Sequence, residues 1–164
     1  MPALLDGNAA AKAVQEQVAQ RLAALPSGSG KPGLAVVLVG DDPASQVYVG
    51  RKKKACETLG FYSEEHRLPK ESTQEQLLDL VRSLNQKPQV HGILVQLPLP
   101  SHLSAQKVIE TIDPNKDVDG MHPMSLGRLV AGLPGLRSCT PAGVMAMLEH
   151  YKIPVAGKRA VVIG

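Results

Sequence analysis

Leu34-Ala35-Val36-Val37-Leu38-Val39 is a continuous apolar run, too short for a helix and typical of a strand buried on both faces. Gly40-Asp41-Asp42-Pro43 closes it. Asp42 suits a helix N-cap and Pro43 a first helical turn, so a helix is predicted from here to Leu59, with Gly60 as its stop. On the amino side, Pro26-Ser27-Gly28-Ser29-Gly30-Lys31-Pro32-Gly33 is a turn-rich linker. Before it, Val14, Val18, Leu22 and Leu25 recur at helical spacing over the first 25 residues.

On the carboxyl side, Phe61 to Leu68 is a weaker strand, because Ser63-Glu64-Glu65 is polar. Ser72-Thr73-Gln74-Glu75 fits a capping box, and Leu77, Leu80, Val81 and Leu84 give the next helix an apolar stripe. Val90 to Gln96 is a third strand and Ser104 to Ile112 the helix after it. A short helix is expected over Met124 to Val130. Another opens at Thr140-Pro141 and runs to about Tyr151, and Ala160 to Ile163 is a last strand. Strand and helix therefore alternate, the pattern of an α/β protein: a parallel sheet between helices in a three-layer α/β/α domain. In such folds the functional residues gather at the carboxyl ends of strands, which selects residues 40–52, 96–100 and 117–122.

The chain of 164 residues is near the size of one domain, for which about 150 is usual. Three Tyr, one Phe and no Trp argue against base-stacking platforms, aromatic cages and sugar sites, all of which need flat π faces. A net charge of +3 is too mild to imply a polyanion, so no nucleic-acid partner is expected. Cys56 and Cys139 are too few for a disulfide framework or a zinc site, and no metal is expected. The opening Met1-Pro2-Ala3-Leu4-Leu5-Asp6 has no basic stretch or long apolar core, so no secretory signal is predicted. No run nears the about 18 apolar residues of a membrane span, and a cytoplasmic protein is expected. Lys158-Arg159-Ala160-Val161-Val162-Ile163-Gly164 is a buried-strand pattern cut at its first glycine, so the sequence is expected to continue past it.

Three constellations could carry chemistry. Tyr48 and Lys52 lie one helical turn apart on one face, where a phenol and an amine can share a proton. Arg51, Lys53 and Lys54 surround Lys52 with like charge, which favours the neutral amine and suits acid–base work. The same residues also fit a solvated basic face. Gln96 ends an apolar strand before Leu97-Pro98-Leu99-Pro100, so its amide could meet a substrate or Lys52, or only the loop backbone. Asp117 and Asp119 in Lys116-Asp117-Val118-Asp119-Gly120 lack the other ligands of a calcium loop. One of these carboxylates could accept two N–H bonds from a guanidine-like ring edge, or the pair could simply form a turn. His66, His91, His102, His122 and His150 show no ligand spacing, and only His122 lies beside a candidate loop. Cys56 reads as a small buried hydrophobe. No P-loop and no complete G-x-G-x-x-G is present.

Four stretches carry a resemblance: Asp42-Pro43-Ala44-Ser45-Gln46-Val47-Tyr48-Val49-Gly50-Arg51-Lys52, Gly92-Ile93-Leu94-Val95-Gln96-Leu97-Pro98-Leu99-Pro100, Pro114-Asn115-Lys116-Asp117-Val118-Asp119-Gly120 and Cys139-Thr140-Pro141-Ala142-Gly143. In this order they closely resemble the bifunctional methylenetetrahydrofolate dehydrogenase/cyclohydrolase family, the FolD type. The resemblance implies that Lys52 is the catalytic lysine, that Tyr48 stacks over the substrate and assists it, and that Gln96 tunes the lysine. It also implies that Asp119 holds the pterin-like ring, that Leu97 and Pro98 wall the folate cleft, and that Ser45 supports the loop.

The activity implied is oxidation of 5,10-methylenetetrahydrofolate with NADP, then hydrolysis to 10-formyltetrahydrofolate, in one-carbon metabolism. The fold implied is a folate-binding catalytic domain over residues 1–139. Residues 140–164 would be a linking helix and the first strand of a truncated Rossmann-type NADP domain, with Gly164 starting the cofactor motif. A homodimer is implied for the full-length protein. Ser138 stands where many relatives have proline. A single-activity relative remains the alternative within enzymes, and a non-catalytic module docking an anion on Arg51 to Lys54 the alternative outside them.

Overall fold

The computed structural model describes residues 4–163. Its elements run α1 (Gly7–Ala23), β1 (Gly33–Val39), α2 (Pro43–Leu59), β2 (Tyr62–Leu68), α3 (Gln74–Gln86), β3 (Gly92–Val95), α4 (Ala105–Thr111), α5 (Pro123–Val130) and α6 (Cys139–His150). Two compact units result. One holds residues 26–138 and the whole sheet; the other joins the described residues up to Leu25 with those from Cys139 onward. The division expected from the sequence, 1–139 and 140–164, differs by one residue at this boundary and by placing the first helix with the sheet.

The sheet is parallel, in the order β2-β1-β3. The chain steps from β1 out to β2, then back across β1 to β3. Right-handed crossovers in opposite directions place their helices on opposite faces. Val36 and Leu38 of β1 and Leu94 of β3 accordingly pack with Val49 of α2 on one face. Ala35, Val37, Val39, Ile93 and Val95 face the other way, onto Leu77, Val81 and Leu84 of α3 and Val108 of α4. This is the expected three-layer arrangement.

Helix ends follow the sequence closely. The Asp42 side chain accepts from the Ser45 amide at 2.7 Å, Pro43 opens α2, and Gly60 ends it in the left-handed region. The α3 cap falls one residue later than expected, with Thr73 and Gln76 forming the reciprocal box. Ser72 is already engaged in a turn: its amide donates to the Pro69 carbonyl, and its own carbonyl meets His102 Nε2 at 3.0 Å. Helix α6 begins at Cys139, so Thr140 and Pro141 lie inside its first turn.

In the second unit, described by itself, α1 packs against α6, and the Asp6 amide donates to the Tyr151 hydroxyl at 2.9 Å. The strand expected over Ala160 to Ile163 is not formed. Val161 to Ile163 are largely exposed, and no described residue pairs with their backbone, without which a strand has no ladder to join. Gly164 lies outside the described residues. Among the described residues no helix is long and apolar enough to cross a membrane.

Gly120 occupies a place no other residue fits well. Its φ is +61°, and a Cβ there would stand 2.5 Å from the Arg137 carbonyl carbon. Gly120→Ala is therefore expected to cost at least about 1–3 kcal/mol, read as a lower denaturation midpoint at unchanged slope.

Candidate active site

Strands β1 and β3 are neighbours, yet the helices that follow them cover opposite faces of the sheet. A crevice opens between their carboxyl ends at such a switch point. Here it is a hollow of about 440 Å³ whose walls include Gly40, Asp41, Asp42, Lys70 and Pro98.

Lys52 and Gln96 meet where the chain leaves β3. Lys52 is half-buried on α2, and its Nζ donates to Gln96 Oε1 at 2.9 Å. Gln96 continues β3, its amide donating to the Val37 carbonyl at 2.8 Å, and its Nε2 donates to the Leu97 carbonyl at 2.7 Å. An ammonium only donates, so the atom facing it must be the amide oxygen, and the Leu97 carbonyl holds the amide in that orientation. Both readings left open for Gln96, toward the lysine and toward the loop backbone, are realised together.

Tyr48 lies one turn before Lys52 and is 55% exposed. Arg51, Lys53 and Lys54 are exposed, and no ion pair ties them to any described residue. Ser45 is buried at the start of α2, where it serves the Asp42 cap; Lys52 follows seven positions later, a rise of about 10 Å along the helix.

The aspartates of the third constellation divide their work. Asp117 is 2% exposed, and its Oδ2 accepts from the His122 amide and from Ser125 Oγ, both at 2.8 Å. Asp119 is half-buried, and no hydrogen bond to its carboxylate is found among the described residues. Both line an apolar cavity of about 20 Å³, walled by Ile93, Val95, Leu97 and Val108 among others. That is room for about one water molecule. Burial therefore pushes the Asp119 carboxyl above its ordinary range; the Lys52 ammonium pulls it down, and the Asp117 charge pushes it up. Lys52, Gln96 and Asp119 thus belong to one electrostatic cluster.

His122 is occupied as the N-cap of α5, its Nδ1 accepting from the Met124 amide at 3.0 Å. The Cys56 thiol is pushed up by burial, as befits a small hydrophobe rather than a nucleophile. Ser125 carried no signal in the sequence, since a serine inside a short helix has no pattern of its own. Among the described residues no three His, Cys, Asp or Glu side chains converge on a metal position.

Residues 5–119 match the family profile described as tetrahydrofolate dehydrogenase/cyclohydrolase, catalytic domain. The chain belongs to this family. It is 54% identical over 162 residues to the bifunctional protein FolD of Nitratidesulfovibrio vulgaris, covering 98% of this chain and 57% of that one. Among solved structures it resembles the bifunctional FolD enzyme, a methylenetetrahydrofolate dehydrogenase/cyclohydrolase, of Campylobacter jejuni. That match has TM-score 0.88 and 47% identity, over 92% of this chain and 54% of the other. The Trypanosoma brucei dehydrogenase-cyclohydrolase, complexed with NADP cofactor and inhibitor, matches at TM-score 0.90 and 35% identity, over 96% and 55%. The chain thus spans little more than half the length of these family members.

A carboxyl raised in the folded state destabilises the fold once ionised. The folded protein binds this proton more tightly than the unfolded chain, so stability from Asp119 falls as pH rises between the unfolded and folded pKa values. Asp119→Asn is expected to raise the melting temperature at neutral pH, with the gain vanishing below the ordinary carboxylate range. Melting curves from pH 3 upward in steps check this; no gain at neutral pH would contradict it.

Proposed function

We propose that this chain carries the folate site of an enzyme that oxidises 5,10-methylenetetrahydrofolate with NADP and hydrolyses the resulting methenyl cation to 10-formyltetrahydrofolate. The observation that carries the reading is the 2.9 Å hydrogen bond from Lys52 Nζ to Gln96 Oε1, with Asp119 in the same electrostatic cluster. An amine held by an amide at the carboxyl edge of a sheet is equipped to move a proton beside a bound ligand.

The pterin end of a folate presents adjacent N–H donors, and an ionised Asp119 can accept two of them in parallel. The exposed Tyr48 ring offers a flat face for the remainder of the molecule, and Leu97 and Pro98 contribute walls. In the hydrolytic step water oxygen adds to the methenyl carbon, and a proton leaves that water. Lys52 gives a proton to the ring nitrogen as the carbon–nitrogen bond breaks and takes the water's proton in its place. The net proton released when a cation and water give a neutral formyl product goes to solvent. Gln96 holds the amine in place throughout.

NADP is assigned to the complete protein from its family alone. Among the described residues no glycine-rich turn leads from a strand into a helix N-terminus, the arrangement that takes dinucleotide phosphates. The cofactor role of the 140–164 segment, the homodimer and the cytoplasmic location, with a place in purine-supplying one-carbon metabolism, are proposed on the same basis.

In the complete protein, Lys52→Met is expected to abolish methenyltetrahydrofolate hydrolysis, followed by its absorbance, while leaving folate binding largely intact. Normal hydrolysis in that variant would remove the lysine from the mechanism. Asp119→Ala is expected to weaken folate binding by about tenfold or more. Wild-type affinity should also decline with acidification at a pH above the ordinary carboxylate range, because the protonated acid accepts poorly. Titration calorimetry across pH measures both.

A further inference from the structure

We propose that Asp117, fixed by Ser125 and the His122 amide, is a positioning residue that locks the 117–122 loop so that Asp119 faces Lys52 and the bound pterin. The inference deepens the folate reading and rests on it.

A carboxylate as deeply buried as Asp117 is tolerated only when donors replace its lost water. Both donors to Oδ2 come from the start of α5, so the charge ties the loop to that helix. The helix does not need it for capping, because His122 Nδ1 already takes the Met124 amide. The backbone is tied as well. The Ile93 amide donates to the Lys116 carbonyl at 2.7 Å, Ile93 bridges to Asp117 in parallel, and the Gly120 amide returns to the Asp117 carbonyl at 3.1 Å.

Asp119 is therefore held on both sides while its own carboxylate keeps its lone pairs free of hydrogen bonds from the described residues. An acceptor fixed before its ligand arrives loses little freedom on binding, so affinity depends on the groups that fix it.

The test compares Ser125→Ala, Asp117→Asn, Asp119→Asn and the double variant Ser125→Ala/Asp119→Asn in the complete protein. Each is titrated with 5-formyltetrahydrofolate as a stable pterin probe, with melting temperature recorded alongside. Ser125→Ala is expected to weaken binding about five- to tenfold in the wild-type background and less than about twofold once Asp119 is Asn. Asp117→Asn, if it folds, should weaken binding in the wild-type background as Ser125→Ala does; if it does not fold, the Ser125→Ala cycle decides alone. A merely structural network would give equal affinity losses in both backgrounds, and that result overturns the proposal. Loss of affinity in Asp119→Asn with none in Ser125→Ala overturns it while leaving the folate reading intact. No change in either variant overturns both.

Discussion

A strand with neighbours on both edges and helices over both faces gives its side chains no route to water. β1 is that strand, and its residues must be apolar on every side, whichever way they point. The requirement forces polar chemistry out of the sheet and onto the segments that leave it. Gly40 to Asp42 follow β1, Gln96 extends β3, and Lys116 to Asp119 run beside Ile93 along the edge of β3. Loops far apart in sequence therefore deliver their polar groups to one end of a rigid apolar platform.

What assembles there is a set of charged groups in which Asp119 feels both Lys52 and Asp117. Lys52 has an amide oxygen beside it that can accept but cannot neutralise it. Asp119 is set against an apolar wall that penalises its charge, with a cation offsetting part of the penalty and a second carboxylate adding to it. Asp117 lies deepest and escapes such a conflict through two short hydrogen bonds. Two like residues separated by one valine thus serve opposite purposes: one is satisfied by the protein, and the other is kept for a ligand.

Much of this could be read from the sequence, for reasons that differ by element. The apolar run of β1, the Asp42-Pro43 start and the Gly60 stop are local signals, each set by a preference that needs no tertiary partner. The pairing of Lys52 with Gln96 was legible only as one of two options, since nothing local orients an amide. The α3 cap slipped by one residue because the Ser72 amide and carbonyl are held by Pro69 and by His102, the latter thirty residues away. The strand over 160–163 reads well by composition, but a strand exists only by pairing, and composition cannot supply the partner. Ser125 stayed silent because its role comes from a fold-brought neighbour, Asp117.

The polarity that made β2 a weak strand has a further use. β2 lies at the edge of the sheet, bonded to β1 on one side only among the described residues. A row of unpaired backbone groups invites another chain to add on. Glu64 resists being charged through burial, yet its contact with the His66 ring and hydrogen bonds from Lys87 and Tyr62 outweigh this and hold its carboxyl below the usual range. Glu65 and Arg67 beside it carry opposite charges of their own. Any strand docking in register would have to strip water from this crowded set of ions, so the border that looks least like a sheet in composition guards the molecule against fibrous self-association.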